Sequence, residues 1–429
     1  MLLERLMRQA EQAEVFEIES EATKIGFEAN RLRSFEVEET RGVAARVVKD
    51  GRLGFAASSD LRASDRLIAN VLESARHGEV LPLEFPGSRP APPVQVYDPL
   101  LADLPIDDLI EVGRDVIAIV LEAEPSATLT LGLQRRVRRT TVRNSSGANV
   151  TVRQTPLTID LVAKRVRGDD VLVLFDFYST AAWSEEHRAF ARTLAEKVHL
   201  ARRAATLSPR RMPVLFSPGS GGILGLPLQL GLDGKNVLQG ISPMAGRLGE
   251  QIFDPKLTVV DDPTLDGRPG SGSYDDEATA RQRRVLIDRG VLQGFVYDLK
   301  TAVQAGAAPT GNGERGLFSP PAPGFSNLIV ESGRTPLPEI IAGIDEGLLV
   351  EAPLGLGQGN VISGDFSYTL SLAFKIERGE IVGRVKDVSV AGNIYQDLGQ
   401  IAALSEEAEW VYGGMRLPHI LLPELNVVR

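Results

Sequence analysis

The sequence predicts an α+β fold in which amino-terminal α/β units precede a larger, mainly antiparallel β domain. In the first half of the chain, segments with helical periodicity alternate with strand-like segments, whereas short strands dominate from residue 214 onward. A length of 429 residues also exceeds the usual size of one hydrophobic core. Prolines concentrated between residues 79 and 99 indicate a linker, and "LSPRRMP" indicates a second boundary. We therefore predict domains at 1–80, 100–206 and 212–429.

The first predicted unit contains two helices and a hairpin. Residues 2–14 place apolar side chains on one helical stripe, and the "VFEIES" that follows favours an extended chain. Asp50-Gly51, between two alternating segments, is a strong signal for a two-residue hairpin turn. A helix is predicted from Ser64 to His77, with Gly78 as its stop.

The second predicted unit combines helices with an arginine-rich hairpin. One helix is predicted from Pro105 to Glu124, and another from Ser184, a suitable N-cap, to Ala205. Between them, "RRVRRTTVRNSSGANVTVR" alternates around the turn "NSSG". We interpret it as a hairpin whose solvent face carries the arginines, rather than as a surface for nucleic acid.

The third predicted unit is a largely antiparallel β domain. "RRVLIDRGVLQGFVYD" turns at Arg289-Gly290, and the strongly alternating segment that begins at Asp365 turns at Gly379. One helix is predicted near residues 338–346.

Composition limits the function classes. Hydrophobic residues make up 43% and charged residues 24%, as in an ordinary soluble protein. A net charge of −10 argues against binding nucleic acid over a broad surface, because that affinity comes from neutralising phosphates. Neither a signal peptide nor a long apolar run is recognised, so we expect a cytoplasmic protein without membrane contact. With no cysteine, the chain has no disulfide, no thiolate nucleophile and no cysteine-based zinc site.

The glycine-rich stretch "SPGSGGILGLPLQLG" at 217–231 follows an apolar strand and is the first candidate for a reactive loop. It is not a phosphate loop, because Lys235 comes too late to reach the phosphates. It is not a nucleophile elbow either, since Pro218 stands where the first glycine belongs, which makes Ser220 a poor nucleophile. The four histidines are expected at the surface or at helix ends. His187 and His199 lie roughly 120° apart around one helix and cannot hold one ion together.

A second candidate is an acidic, glycine-rich loop, "VVDDPTLDGRPGSGSYDDE". Its carboxylates are oxygen ligands that calcium or magnesium accepts, but it lacks the alternating ligand spacing of an EF-hand. Asx turns and exposed acids explain the same composition. The candidate residues are Asp261, Asp262, Asp275, Asp276 and Glu277.

Taken together, a series of segments resembles the TldD/PmbA family, whose members are long labelled modulators of DNA gyrase. The segments occur in order from about residue 42 to the end. They are "GRLGFAASSDL", "NSSG", "VDDPT", "DDE", "RRVLIDRGVLQGFVYD", "KTA", "TGNG", "FSNLIVESG", "GLLV" and "ISGDFSYTLSLAFKIERGEIVGRVKDVSVAGNIYQDL".

The resemblance implies a metallopeptidase system. In the family's TldD-type chains, zinc is held by an H-E-x-x-x-H helix and a distant cysteine, and that helix should follow the strand that opens the carboxy-terminal domain. Here that place reads "SPGSGGILGLPLQ", without histidine, glutamate or cysteine, so zinc has no ligands. The resemblance therefore implies a PmbA/TldE-like branch, with no cofactor in this chain and zinc only on a TldD-like partner. The degenerate zinc-helix position lies near Gly219, Ser220, Gly221 and Gly222.

Three functions remain open at this point. The first is a non-catalytic subunit that pairs with a TldD-like chain and admits unfolded peptide, which a β-rich domain could bind as an added strand. The second is a stand-alone homodimeric peptide-binding protein, and the third is an enzyme that uses the acidic loop with magnesium or calcium. A direct role on gyrase or DNA ranks last on charge. Candidate peptide-binding residues are Thr310, Gly311, Asn312, Gly313, Ser363, Gly364, Asp365 and Phe366.

Overall fold

The computed structural model describes residues 2–168 and 170–428. The amino-terminal half contains five helices and seven strands in its described part. They are α1 (Leu2–Met7), β1 (Gln12–Glu28), β2 (Arg31–Lys49), β3 (Arg52–Ser58), α2 (Ser64–Arg76), α3 (Pro99–Ala102), α4 (Ile106–Ala123), β4 (Thr128–Asn144), β5 (Asn149–Gln154), β6 (Leu157–Arg167), β7 (Asp170–Thr180) and α5 (Glu186–Leu200).

The carboxy-terminal half is richer in short strands, as the sequence predicts. Its elements are β8 (Arg211–Phe216), α6 (Gly222–Leu232), α7 (Gly234–Leu238), β9 (Val259–Asp261), β10 (Arg284–Asp288), β11 (Val291–Leu292), α8 (Leu299–Ala305), β12 (Gly313–Glu314), β13 (Ala322–Pro323), β14 (Leu328–Val330), α9 (Leu337–Ala342), β15 (Glu346–Pro353), β16 (Asp365–Glu377), β17 (Glu380–Arg384), β18 (Ser389–Asn393), α10 (Ile394–Asp397), β19 (Ala403–Val411) and β20 (Met415–Val428).

One antiparallel seven-stranded sheet organises the amino-terminal half. Its order is β3-β2-β1-β4-β6-β7, and β5 pairs with β4. Because β1 pairs with β2 on one side and with β4 on the other, the sheet joins strands from the predicted units 1–80 and 100–206. Those boundaries remain predictions. Helix α4 covers one face of the sheet, where Val116 and Val120 are buried against Ile25 and Leu129.

The carboxy-terminal half is built on an eleven-stranded, mainly antiparallel sheet with its own core. The parallel neighbours are β14 with β20 and β15 with β8, and the other pairs are antiparallel. Helix α6 packs into this core through Ile223, Leu224 and Leu228. The α+β, mainly β fold class predicted from the sequence is therefore confirmed. Among the described residues, no helix combines the length and apolar character that a membrane span needs.

Several local predictions need correction. The first helix ends at Met7 and not near residue 14, because Gln12 already begins β1, which pairs with β2 along its whole length. The hairpin of β4 and β5 forms, but Arg135 points inward and donates to the carbonyls of Ala102 and Leu104 at 2.6 and 2.9 Å. Of the histidines predicted at the surface or at helix ends, His419 is at neither, because it is buried on β20.

Two of the four histidines are buried. His187 is 3% exposed and stacks on Trp183, and His419 on β20 is 7% exposed. Burial lowers the pKa of both imidazoles, which favours their neutral forms.

Candidate functional site

A large cavity lies at the boundary between the seven-stranded sheet and the carboxy-terminal domain, which we call the seam. It has a volume of about 730 Å³ and is walled by β4 to β7, by the acidic loop and by the turn between β19 and β20. Large pockets at domain boundaries are the usual place for ligand sites. Its charged lining residues are Arg138, Asp276, Arg281, Glu314 and Arg315.

Asp261 is a buried acceptor at the start of the acidic loop. Its carboxylate accepts hydrogen bonds from the Ser326 hydroxyl at 2.8 Å, the Asn327 amide at 3.0 Å and the Asn312 side chain at 2.7 Å. Burial raises its pKa. Asp262 accepts from the amide and hydroxyl of Thr264 at 2.9 and 2.6 Å, as in an Asx turn. Both carboxylates thus have protein donors.

The second half of the acidic loop has the same character. Asp275 accepts from the amides of Glu277, Thr279 and Gly313 at 2.8–2.9 Å, and burial raises its pKa to about 6. Glu277 accepts from the Arg46 guanidinium at 2.5 Å. Asp276 reaches the cavity wall, where its carboxylate lies 3.5 Å from Arg138.

The structure brings the "TGNG" segment to the acidic loop. The side chain of Asn312 donates to Asp261, and the amide of Gly313 donates to Asp275 at 2.9 Å. Gly311 adopts a φ of 79°, and a Cβ there would lie 2.9 Å from the Ala280 carbonyl oxygen, so the turn requires glycine. The Thr310 hydroxyl donates a hydrogen bond to the Tyr297 carbonyl at 2.9 Å.

The "SGDFS" segment lies elsewhere, beside α6. Asn393 donates to the Asp365 carboxylate at 2.7 Å, and Gly364 lies against the ring of Tyr395. The Tyr395 hydroxyl in turn donates to the carbonyl of Pro227 within α6 at 2.9 Å. The predicted peptide-binding residues therefore form two groups, one at the acidic loop and one at α6.

Helix α6 occupies the place expected for the zinc helix, directly after the strand that opens the carboxy-terminal domain. In the sequence of Gly222–Leu232, Gln229 is the one polar side chain. A Cβ at Gly222 would lie 3.0 Å from the Tyr412 ring, and one at Gly225 would lie 2.7 Å from the Met415 sulfur. Aromatic and thioether groups thus fill the space along the start of α6. These residues do not fit a zinc ion, which needs imidazole, thiolate or carboxylate ligands.

The loop before α6 is closed by hydrogen bonds. The Ser220 hydroxyl is fully buried and donates to the Ser217 carbonyl at 2.9 Å, and the Tyr412 hydroxyl donates to the Gly219 carbonyl at 2.5 Å. Burial raises the pKa of Tyr412 to about 12. Within residues 2–168 and 170–428, no three His, Asp or Glu side chains are gathered in a way that could hold a metal ion.

Comparison with known proteins identifies the family. The model of the PmbA/TldA metallopeptidase C-terminal domain matches residues 209–429, more than half of the chain, and that of PmbA/TldA metallopeptidase domain 1 matches residues 13–77. The chain belongs to the PmbA/TldD metallopeptidase family. It is similar over its full length to the crystal structure of TldE from Thermococcus kodakarensis, with a TM-score of 0.91, 25% identity and 99% coverage of that chain.

Two sequence relatives of this PmbA/TldD chain differ in the share of their length that aligns with it. An uncharacterised protein of Methanocaldococcus jannaschii is 25% identical over 95% of both chains. A Haemophilus influenzae protein named metalloprotease TldD homolog is 34% identical over an aligned region that covers 46% of this chain and 41% of that protein. The similarity to that named metalloprotease is thus confined to less than half of each protein.

Sequence reasoning missed several charged residues at the seam. Arg268 lies within the quoted acidic loop, but its partner ring, Trp410, comes from β19, and Lys197 comes from α5. No local pattern marks these residues, because their proximity depends on the packing of three distant segments.

Proposed function

We propose that this chain is a PmbA/TldE-like subunit without a zinc site, which pairs with a zinc-bearing TldD-like chain and helps to enclose a chamber for unfolded peptides. The observation that carries the proposal is the composition of α6, in which Gln229 is the one polar side chain at the expected place of the zinc helix. Such a chain needs a partner to supply zinc and its activated water. Its full-length similarity to a protein named TldE supports the same reading.

The proposed substrate is an unfolded peptide. The seam cavity combines paired charges with aromatic and small residues, which suits an extended main chain better than one small molecule. Strand β7 forms the end of its sheet beside this cavity, so its outer edge faces the carboxy-terminal domain rather than another strand of the same sheet. We also propose that the protein acts in the cytoplasm, a location with which a chain without cysteine is compatible.

Native mass spectrometry with metal analysis tests this proposal. The tagged protein, purified gently from its own host, is expected to emerge with a second chain that carries H-E-x-x-x-H and about one zinc per pair. Peptidase activity on an unfolded protein should appear only with the pair. Emergence as a homodimer without metal would contradict the partner-subunit role.

The second candidate is a homodimeric peptide-binding protein, and a specific observation favours it. Strand β3 pairs with β2 only from Val43 onward, so the outer edge of residues 31–42 has no strand partner in the described part of the chain. Phe35 and Val37 on this edge are 61% and 51% exposed. Natural proteins usually protect such edges or use them for pairing.

This edge is complementary to a second copy of itself. In an antiparallel pair centred on Glu36, Phe35 would lie opposite the copy's Val37 on one face, and Arg33, at the β-bulge before Ser34, would lie within reach of the copy's Glu39. The Glu36 carboxylates would meet at the two-fold axis. Each is neutralised by its own Lys24, 3.2 Å away.

Charge exchange separates the two candidates. If the homodimer forms through this edge, Arg33→Glu and Glu39→Arg should each be monomeric in analytical ultracentrifugation, and an equimolar mixture of the two variants should dimerise. Arg192→Glu, at an exposed position on α5, is the control and should leave the dimer intact. If the mixture stays monomeric, the edge is not a homodimer interface.

A further inference from the structure

A second cavity at the seam lies on the other side of β7, against α5. Its volume is about 390 Å³, and it shares Phe177, Ser179 and Gly413 with the lining of the larger cavity. Its charged and aromatic lining includes Asp176, Glu186, Lys197, Arg268, Glu409 and Trp410. We call it the Arg268 cavity.

The Arg268 guanidinium is unpaired within the described part of the chain. It lies over the Trp410 ring at 4.0 Å from the centroid, and its buried Nε has no hydrogen-bond partner there. Burial lowers the pKa of Arg268, and the attraction of Tyr178 and Glu186 only partly offsets this. Because arginine keeps its charge in proteins, a partly desolvated and unpaired guanidinium is a natural site for an anion.

The other cationic side chain of the cavity, Lys197, already forms an ion pair within the protein. Lys197 lies 3.2 Å from the Glu351 carboxylate. Burial opposes its charge, but Glu351 and Asp176 outweigh this and raise its pKa. Lys197 is therefore held by protein carboxylates, while Arg268 is available for a ligand.

The main chain holds Arg268 in place before any ligand arrives. The preceding residue, Gly267, donates its amide to the Gln95 carbonyl at 2.7 Å and accepts from the Ala181 amide at 2.8 Å, directly after β7. Its φ of 70° lies in the left-handed region that favours glycine. Such preorganisation reduces the entropy lost on binding.

We propose that Arg268 is a binding residue for a peptide carboxylate at the end of β7. The guanidinium fork matches a carboxylate in two parallel hydrogen bonds. Asp176, Glu186 and Glu409 in the same walls would repel a dianion such as phosphate, whereas one carboxylate on an otherwise neutral or cationic peptide is tolerated. The inference rests on the proposed peptide-binding function and names the carboxylate as the chemical group of the peptide that this chain recognises.

Fluorescence anisotropy with labelled decapeptides tests the assignment on the full chain. A peptide without acidic side chains is compared as free acid and as carboxy-terminal amide, and the amide is also compared with Glu or Gln at its last position. In one of these two comparisons, wild type should bind the peptide with the carboxylate at least tenfold more tightly than the neutral peptide. A difference between free acid and amide would identify the terminal carboxylate as the recognised group, and a difference between Glu and Gln would identify a side-chain carboxylate.

Variants of Arg268 should remove this preference. Arg268→Gln should bring the affinity ratio to about one, and Arg268→Lys should leave an intermediate ratio. Arg153→Gln is the matched control, because Arg153 also stacks on an aromatic ring, Tyr97 at 3.7 Å, but lies outside this cavity. A ratio that survives in Arg268→Gln, or wild type that binds all forms equally, overturns the carboxylate site and leaves peptide binding standing. If wild type binds none of the peptides, both this site and the proposed peptide function fail.

Discussion

Two stacked arginines at the seam, Arg46 and Arg268, differ in one respect that decides their roles. Arg46 lies 5.1 Å from the Phe85 ring centroid, and Arg268 lies 4.0 Å from that of Trp410. Arg46 also donates to Glu14 at 2.9 and 2.7 Å and to Glu277 at 2.5 Å, whereas Arg268 has no such partner among the described residues. Burial would lower the pKa of Arg46, but the two glutamates raise it.

The difference teaches how to distinguish a structural charge from a binding charge in one chain. A buried arginine that is fully paired fixes neighbouring elements, since removing it leaves buried carboxylates without compensation. Arg46 joins β2 to β1 and to the acidic loop. A partly buried arginine that only stacks on a ring, such as Arg268, contributes less to the fold and can accept a ligand's charge.

The largest expected effect is on Arg46. Arg46→Leu should lower the free energy of unfolding by about 3–5 kcal/mol, because the buried Glu277 would lose its guanidinium partner and the buried Glu14 would keep only Arg315. Urea denaturation at pH 7 measures this. Arg136→Leu, at an exposed position on β4, should change stability by no more than about 0.5 kcal/mol. A loss below about 1 kcal/mol for Arg46→Leu would remove the structural half of the comparison.

An intermediate effect is expected for Glu124, a buried carboxylate that pairs with Arg165, Arg167 and Arg202. Burial would raise its pKa, but bonds from Ser126, Arg202 and Arg167 outweigh this and lower it to about 2. Because the pKa is lower in the folded state, its contribution is present above pH 4.5 and is lost as the pH falls toward 2.

Glu124→Gln should therefore lower stability at pH 7 by about 1–3 kcal/mol and flatten the decline of stability with acid below pH 4.5. Urea denaturation at pH values from 3 to 7 measures both effects. Asp65→Asn is the control, because Asp65 pairs with Arg5 on the surface and is 90% exposed. Parallel pH curves for wild type and Glu124→Gln would show that this pairing does not stabilise the fold.

The smallest effect on stability is expected for Arg268. Arg268→Gln should change the free energy of unfolding by less than about 1 kcal/mol, since Arg268 has no ion pair in the described part of the chain and the change removes only a stacking contact. The same denaturation experiment measures this. A loss as large as that of Arg46→Leu would show that Arg268 is structural and would remove the contrast.

Local patterns predicted much of the framework. The turns at Asp50-Gly51, Arg289-Gly290 and Gly379 are confirmed, because each joins a pair of antiparallel strands at residues with positive φ. Helices α2 and α4 are confirmed within two residues of their predicted ends, since each carries an apolar stripe of helical period.

Other elements depended on non-local pairing. The first helix is shorter than its apolar pattern predicts because residues 12–14 join the β1–β2 pairing. Helix α6 gave no amphipathic signal because it is buried on almost all sides. The inward turn of Arg135 also depends on carbonyls from a distant segment, those of Ala102 and Leu104.

By itself, the sequence determined the fold class, the family resemblance and the lack of zinc ligands at α6, because these depend on residue types and their order. Only the tertiary structure decided which charges are paired. Arg46 pairs with Glu277 across the seam, whereas Arg268 stacks on Trp410 and pairs with no carboxylate among the described residues. Burial and pairing arise when distant segments pack together, and electrostatic energies depend on these distances rather than on sequence spacing.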